Sequence, residues 1–241
     1  MTDPGLSIIV PAHNEVATLA AAVESLLAAP WASSIEVIVV DDGSHDGTAA
    51  LLEPLGAAGA IRLVSHPTRQ GRGAALRSGA RLATGGILAF HDGDGEYSAD
   101  DLRYAVGFIQ GGRADAVFGS RMLGPGRSVM QYWRAKAAGA ITVLSNALTN
   151  LNLTDATTSC VAVRREHWDR VTLRADGFDV DVELIAALAH TGARIWEVPI
   201  SYAGRYREEG RKSRRRHTVR RMWRVITSWW RRSTLLRESR P

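Results

Sequence analysis

The sequence is short of the features that mark secreted, membrane-spanning or repeat proteins. Cys160 is its one cysteine, which excludes an internal disulfide and favours a reducing compartment. No uninterrupted apolar run is long enough to cross a bilayer, and Met1–Gly5 leads directly into a predicted strand without a signal-peptide pattern. There is no internal repeat, and low complexity is confined to a basic stretch near the C-terminus. A chain of 241 residues with 45% hydrophobic content is therefore expected to form one α/β domain, alone or with an appendage.

Charge is distributed unevenly along the chain, although the net charge is only +5. Residues 205–241 contain 14 Lys or Arg and 3 Asp or Glu, whereas the rest of the chain contains 16 basic and 22 acidic residues. The chain therefore divides into a mildly acidic body, residues 1–204, and a strongly basic C-terminal segment, residues 205–241. Such a segment predicts an anionic partner, which is a membrane surface, a nucleic acid or a phosphorylated substrate.

Short apolar runs alternate with helical patterns through most of the body. The predicted strands are residues 6–12, 35–41, 60–65, 87–91, 114–120, 158–164 and 194–201. The predicted helices are residues 16–29, 46–57, 73–83, 99–110, 131–148 and 179–190, and Asn14 or a neighbour is expected near the first N-cap. Alternation at this spacing predicts βαβ units and a mainly parallel central sheet flanked by helices.

Carboxylates cluster where the fourth predicted strand ends. Asp92, Asp94 and Glu96 follow the apolar run, with a glycine between each pair. Ligands bind at the carboxyl ends of the strands in open α/β sheets, and three carboxylates this close together are able to bind one hard divalent cation. The glycines allow the backbone to turn tightly around that cation. The alternative is an acidic turn that binds no ion.

Polar residues also follow the first two predicted strands. Pro11–Glu15 ends the first strand, and Asp41–Ser44 ends the second. A carboxylate at this edge of the sheet is suited to accept hydrogen bonds from a base or a ribose. The alternative is helix capping by Asn14, Asp42, Ser44 or Asp46.

A glycine-rich loop, Gln70–Gly73, precedes the third predicted helix. It does not match G-x-G-x-x-G and it follows the third strand rather than the first, so it gives little support to dinucleotide binding. A glycine-rich helix start is able to bind phosphate through its backbone N–H groups, and a simple loop is the alternative.

Six segments, taken together and in order, resemble the family-two glycosyltransferases. They are Ser7–Glu15, Val37–Ser44, Asp92–Asp94, Phe118–Arg121, Leu153–Asp155 and Val198–Tyr202, the last of which is followed by Arg205. More narrowly, the chain resembles the polyprenyl-phosphate branch of that family, which includes enzymes like the dolichyl-phosphate mannose and glucose synthases. The resemblance implies an α/β, Rossmann-like nucleotide-diphospho-sugar transferase fold of the A type, with residues 1–204 as the catalytic domain.

The resemblance also implies roles for the matching residues. Those implied in nucleotide-sugar binding are Pro11, Ala12, Asn14, Glu15, Asp42 and Asp92, and Gly71 of the glycine-rich loop is a further candidate for the same role. Those implied as ligands of Mg²⁺ or Mn²⁺ are Asp92, Asp94 and Glu96, the last standing where the branch often has glutamine. Those implied in binding an acceptor phosphate are Arg121, Arg134, Arg205 and Lys212, and the expected catalytic residues are Asp94 and Arg121. The segment after Arg205 is longer than in the eukaryotic-type enzymes, which leaves the sugar open.

The expected activity is inverting transfer of a hexose, mannose or glucose, from GDP-mannose or UDP-glucose to polyprenyl phosphate. A monophosphate is largely anionic at neutral pH, since its second pKa is near ~6, so it needs cations and positioning rather than a base. The enzymatic alternative is transfer to a saccharide hydroxyl, which needs a carboxylate base. Asp181 and Glu183 are reserve candidates for a base or an acceptor contact, and a helix start favoured by negative charge is their other interpretation.

The basic segment contains an apolar stripe at helical spacing, formed by Val219, Met222, Trp223, Ile226, Trp229 and Trp230. Tryptophan opposite arginine suits an amphipathic helix in a membrane interface, and it also suits a helix packed on the domain. We expect a cytoplasmic protein, peripheral at the inner face of the membrane. Nucleic-acid binding by this segment is a remote alternative that explains none of the strand-end carboxylates, so we expect no nucleic-acid partner.

Overall fold

One sheet of seven strands forms the centre of the fold. The computed structural model describes residues 5–124 and 131–204, together with Trp223 and Ile226. The strands are β1 Leu6–Ala12, β2 Ile35–Asp41, β3 Arg62–Ser65, β4 Ile87–Phe90, β5 Ala116–Ser120, β6 Val161–Arg164 and β7 Ile195–Pro199. Their order is β3-β2-β1-β4-β6-β5-β7. β6 is antiparallel to both neighbours and the other pairs are parallel, which confirms the predicted mainly parallel sheet.

The helices flank this sheet. They are α1 Leu19–Ala28, α2 Thr48–Ala57, α3 Arg72–Leu82, α4 Ala99–Gln110, α5 Tyr132–Thr149, α6 Arg165–Trp168 and α7 Val180–Ala189. The short α6 was not predicted. The expected N-cap near Asn14 was wrong, because α1 begins three residues later than predicted and its N-cap is Thr18. Asn14 instead takes a left-handed φ of 53° in the turn that leaves β1.

Apolar residues are buried on both faces of the sheet, as expected for parallel strands covered by helices. Alternate residues of β1 enter different clusters, with Ile8 and Val10 in one and Ile9 in the other. The first cluster includes apolar residues of α1, α2 and α4, and the second includes those of α3 and α7. This two-sided burial explains why the strands are continuous apolar runs in the sequence.

Most of the basic C-terminal segment, including Arg205 and Lys212, lies outside the described residues. Trp223 and Ile226 are helical, and Ile226 is buried against Val182 of α7 and apolar residues of α5. The remaining residues of the predicted amphipathic helix and the boundary at 204/205 stay predictions. Among the residues that the structure describes, no helix combines the length and the apolar character needed to span a bilayer.

Two helical glycines provide a matched test of how tightly α3 packs on the sheet. A Cβ added at Gly79 of α3 would lie 2.5 Å from Ile9 Cγ2, whereas one added at Gly107 of α4 would meet nothing within 4 Å. We expect Gly79→Ala to lower the free energy of unfolding by about 1–3 kcal/mol through overpacking. Gly107→Ala should raise it by about 0.5–1 kcal/mol, because alanine is the better helix former. Urea denaturation measures both, and a Gly79→Ala protein as stable as the wild type would contradict the packing described.

Candidate functional site

The segments that follow β1, β2 and β4 meet at one edge of the sheet. β1 lies between β2 and β4, so the order of the strands reverses there and a crevice opens at their carboxyl ends. Asp42 N donates to Ala12 O at 2.8 Å, so the segments after β1 and β2 leave the sheet at the same level. His91 N donates to Ile9 O at 3.1 Å, so the segment after β4 leaves the sheet beside β1 before β1 itself ends. The structure therefore brings together three predicted groups, Pro11–Glu15, Asp41–Ser44 and Asp92–Glu96.

The segment after β1 is hydrogen-bonded to the segment after β2. Asn14 N donates to Ser44 Oγ at 2.8 Å, and Asn14 Oδ1 accepts from His45 N at 2.8 Å. These bonds place the turn beside the crevice. The predicted nucleotide-binding residues in it are the buried Pro11 and Ala12 and the half-buried Asn14 and Glu15.

Asp42 is buried and supports the loop that leads into α3. His66 Nδ1 and Gln70 N each lie 2.8 Å from its Oδ1, and Gly71 N donates to its Oδ2 at 2.8 Å. Burial opposes ionisation of Asp42, but these hydrogen bonds hold its pKa below the ordinary value. The predicted nucleotide-binding residues Asp42 and Gly71 are thus bonded to each other.

His66 also links Asp42 to α3, since its Nε2 lies 3.0 Å from Ser78 Oγ. The connectivity Asp42–His66–Ser78 is that of a hydrolase triad. Ser78 lies in the interior of α3, however, where backbone N–H groups are already bonded within the helix and cannot form an oxyanion hole. The three side chains therefore serve to connect the end of β2 with α3.

Arg72, the first residue of α3, pairs with two carboxylates. Its Nε donates to Asp92 Oδ1 at 2.9 Å, and its Nη1 donates to Asp181 Oδ1 on α7. The side chain of Arg72 is only 6% exposed, and its guanidinium lies 6.0 Å from the centre of the Phe178 ring. Burial opposes the charge of Arg72, but the two carboxylates raise its pKa above the ordinary value. Burial raises the pKa of Asp181 to about 6, although Arg72 opposes that shift.

Sequence reasoning missed this connection. It placed Arg72 only within a glycine-rich loop and treated Asp181 as a reserve base or a helix start. The pair spans 109 residues of chain, so no local spacing joins the two residues. The available signal was an arginine between two glycines at a predicted helix start, close to a strand end that carries carboxylates.

Asp94 and Glu96 lie in the turn after Asp92. Asp94 Oδ1 accepts from Glu96 N at 3.0 Å, and Tyr202 Oη donates to Glu96 Oε2 at 2.6 Å. Burial, with the nearby Glu96 carboxylate, raises the pKa of Tyr202 to about 12. One carboxylate oxygen of Glu96 thus accepts a hydrogen bond from Tyr202. The role of Glu96 as a third metal ligand stays a prediction.

Arg121 follows β5 and forms a buried ion pair. Its Nε donates to Asp155 Oδ2 at 2.6 Å, and its Nη2 donates to Asp155 Oδ1 at 2.9 Å and to Thr157 Oγ1 at 2.7 Å. Burial opposes ionisation of Asp155, but Arg121 and Thr157 hold its pKa below the ordinary value. Two of the three guanidinium nitrogens therefore bind the protein itself.

Tyr202 connects the predicted acceptor-binding arginines to the carboxylate turn. Arg121 lies over its ring at 5.2 Å, and Arg134 Nη2 donates to its Oη at 3.3 Å. Glu96 accepts the hydroxyl proton of the same residue. The structure thus brings Arg121, Arg134 and Glu96 together around a tyrosine that sequence reasoning had quoted only as part of a motif.

A second carboxylate group lies at the opposite edge of the sheet, before β5. Asp115, Glu166 and His167 place potential ligand atoms within 4.8 Å of one another. Asp115 already accepts from Arg194 Nη2 at 2.7 Å, and this bond holds the pKa of Asp115 well below its usual range. Arg194 precedes β7, so the pair connects the starts of two neighbouring strands.

The family model described as Glycosyl transferase family 2 matches residues 7–171. The chain belongs to this family. The matched range includes the ends of β1, β2, β4 and β5, and so contains most of the predicted site residues. The resemblance inferred from the motifs is confirmed.

Several relatives match most of the chain. It is 31% identical over 208 residues to the polyprenol monophosphomannose synthase of Mycolicibacterium smegmatis, covering 82% of this chain and 77% of the relative. It is 30% identical over 215 residues to the undecaprenyl-phosphate mannosyltransferase of Micrococcus luteus, covering 85% of this chain and 86% of the relative. The dolichol-phosphate mannosyltransferase of Pyrococcus furiosus is 25% identical over 211 residues, covering 86% of this chain and 58% of the relative.

Solved structures confirm the predicted fold class. Glucosyl-3-phosphoglycerate synthase from Mycobacterium tuberculosis, in complex with Mn²⁺, uridine diphosphate and phosphoglyceric acid, matches with a TM-score of 0.72. The match covers 94% of this chain and 78% of that one at 23% identity. At this identity the likeness establishes the nucleotide-sugar transferase fold and leaves the substrates open.

The Arg121–Asp155 pair generates a test of stability. Asp155→Asn leaves Arg121 buried without a charged partner, so we expect the free energy of unfolding at pH 7 to fall by about 3–5 kcal/mol. The pKa of Asp155 is lowered on folding, so the pair stabilises above the ordinary carboxyl pKa of ~4 and its contribution is lost as pH falls further. Urea denaturation at several pH values should therefore show that the difference in the free energy of unfolding between the wild type and Asp155→Asn becomes smaller below about pH 4.

The matched control is Asp100→Asn, which removes the exposed pair of Asp100 with Arg103 at 3.2 Å. This change should lower the free energy of unfolding by less than about 0.5 kcal/mol. Equal stability of the two variants at pH 7 would rule out a stabilising role for the buried pair.

Proposed function

We propose that this family 2 enzyme transfers a hexose, mannose or glucose, from GDP-mannose or UDP-glucose to the phosphate of a polyprenyl phosphate, with inversion at the anomeric carbon. The observation that carries the proposal is the likeness to two enzymes named for polyprenol and undecaprenyl-phosphate mannosyl transfer. Each is at least 30% identical over more than four fifths of this chain. The two predicted hexoses remain alternatives, since the names of these relatives favour mannose and those of the structural neighbours favour glucose.

Asp92 and Asp94 are the proposed ligands of Mg²⁺ or Mn²⁺. Both cations prefer oxygen ligands, and the two carboxylates follow β4 at the edge of the crevice. Arg72 bonds Oδ1 of Asp92, while Oδ2 of Asp92 has no hydrogen-bond partner within the described part of the chain. That oxygen fits a metal-binding role. When bound, the cation supplies Lewis-acid stabilisation of the diphosphate leaving group.

The donor nucleotide is proposed to lie against the segments after β1 and β2. Asn14 and Glu15 are the accessible predicted residues there. Asp42 is buried and bonded to Gly71 N, so we assign it and Gly71 to shaping the wall of this pocket. The half-buried carboxylate of Asp94 would orient the diphosphate through the cation.

The acceptor phosphate is proposed to lie near Tyr202, where Arg121 and Arg134 converge. Arginine suits this role because its guanidinium pairs bidentately with phosphate. Arg205 and Lys212 are the further predicted contacts. An anionic phosphate needs no general base, which agrees with the engagement of Asp181 by Arg72. Glu183 is also engaged, since it accepts from the backbone N–H groups of Arg174 and Ala175.

The site of action is proposed to be the inner face of the membrane, with the protein bound peripherally. A lipid acceptor requires such contact. Residues 205–241 carry 14 basic side chains, each worth about 1 kcal/mol of attraction when close to an anionic lipid surface. Trp223 is 56% exposed and suits an interfacial contact.

Purified protein, labelled nucleotide sugars and a polyprenyl phosphate test the proposal. We expect a glycolipid from GDP-mannose or UDP-glucose with Mn²⁺ or Mg²⁺, and none after EDTA treatment. Asp94→Ala should lower turnover by about 100-fold or more, because it removes several kcal/mol of charge stabilisation. Asp100→Asn, an exposed carboxylate outside the site, should retain wild-type turnover.

Other outcomes separate the alternatives. Transfer to soluble saccharides but not to lipid phosphate would favour the alternative acceptor. Full activity of Asp94→Ala would contradict the assignment of Asp94 as a metal ligand. If none of the common donors yields a glycolipid, the proposed reaction is wrong.

A further inference from the structure

Arg72 forms a charge cluster with the first carboxylate of the proposed metal site. Asp92 and Asp181 each carry one negative charge and Arg72 carries one positive charge, so the cluster of three is singly negative. Arg72 is 8% exposed and Asp181 is 6% exposed, so neither charge is screened effectively by water. The charge that Asp92 offers to a cation therefore depends on how fully Asp181 neutralises Arg72.

The backbone around Arg72 holds it in this position. Gly71 N donates to Asp42, and Gly73 N donates to Asp176 O at 2.7 Å. A Cβ at Gly73 would lie 2.1 Å from Ala175 O, so only glycine permits this approach of α3 to the loop before α7. The first turn of α3 is thus fixed to the ends of β2 and to the start of α7, and its arginine is directed between two carboxylates.

We propose that Asp181 acts on the metal site through Arg72. Arg72 orients Asp92 through its bond to Oδ1, and Asp181 neutralises Arg72 so that Asp92 keeps its negative charge for the cation. Asp181 and Arg72 are positioning residues in this scheme, and neither binds the metal or the substrate. The inference rests on the proposed role of Asp92 as a metal ligand.

The arrangement argues against Asp181 as a general base. A base must reach the acceptor, but Asp181 is buried and its Oδ1 is bonded to Arg72. Its place in the first turn of α7 also gives it the favourable interaction with the helix N-terminus that the sequence suggested. Neutralisation of Arg72 agrees with both the bond of Asp181 to Arg72 and its position in the first turn of α7. This role requires no contact with substrate.

Mn²⁺ binding to the full chain tests the proposal in a double-mutant cycle. Free Mn²⁺ is measured by electron paramagnetic resonance, with Mn²⁺ alone and with Mn²⁺ plus GDP or UDP. We expect Asp181→Asn to weaken Mn²⁺ binding by about tenfold, because Arg72, the direct partner of Asp92, is then no longer neutralised by a second carboxylate. In the Arg72→Gln background the same change should weaken binding clearly less, because only the direct electrostatic interaction of Asp181 with Asp92 remains once Arg72 is absent.

The pair of Arg77 and Asp176 supplies the matched control. Arg77 Nη2 donates to Asp176 Oδ1, so this pair also joins α3 to the loop before α7, but it does not touch Asp92. Arg77→Gln and Asp176→Asn should leave the Mn²⁺ dissociation constant within about twofold of the wild type. Circular dichroism and thermal melts confirm that each protein compared is folded.

The outcomes are distinct. Unchanged Mn²⁺ binding by Asp181→Asn, or equal weakening with and without Arg72, would overturn the inference while leaving the proposed function intact. Absence of Mn²⁺ binding by the wild type, alone and with nucleotide, would overturn the metal assignment and this inference with it. Should Asp181→Asn not fold, Asp181→Ser, which also removes the negative charge, replaces it in the cycle with the same two comparisons.

Discussion

The buried guanidinium of Arg72 is the interaction on which the candidate site depends. A cation removed from water is costly unless its charge is met, and here two carboxylates meet it through Nε and Nη1. One of these carboxylates follows β4 and the other begins α7, so the pairing joins segments that are distant in sequence. Through the bonds of its neighbour Gly71 to Asp42, the same turn is also connected to the end of β2. Ion pairs as well as the apolar core therefore stabilise the walls of the crevice at the carboxyl ends of β1, β2 and β4.

A second buried arginine organises the other side of the crevice. Arg121 pairs with Asp155 and lies over Tyr202, which in turn bonds Glu96 in the carboxylate turn. The proposed metal and acceptor regions therefore share a wall. A buried carboxylate faces each of the two arginines, and removing one partner of such a pair is costly because the other charge is then left unpaired. By contrast, the guanidinium of Arg194 is largely exposed in its pair with Asp115 at the far edge, where it connects strand starts.

Much of the fold could be predicted because its signals are local. β1, β2 and α4 have the bounds that periodicity predicted, since each is a continuous apolar run or stripe with polar residues at its ends. The start of α1 was misplaced because Asn14, a residue typical of N-caps, is used in a turn that bonds to the segment after β2. The antiparallel β6 follows the long α5 region, where the alternation lapses and the direction of the strand is not encoded by its own residues. Carboxylates at strand ends could be placed at one edge from topology alone.

The sequence by itself determined the family, the mainly parallel sheet and the positions of Asp92, Asp94 and Arg121 at strand ends, because motif order and hydrophobic period are readable along the chain. Only the tertiary structure decided which charges meet. The pairing of Arg72 with Asp181, the bonding of Asp42 to the loop before α3 and the contact of Tyr202 with Glu96 all join residues from different elements. Such pairings depend on strand order and on how closely α3 approaches α7, and no spacing within one segment specifies them. Of the predicted acid pair, Asp92 is bonded to the buried Arg72 and through it to Asp181, a connection that the motif alone did not indicate.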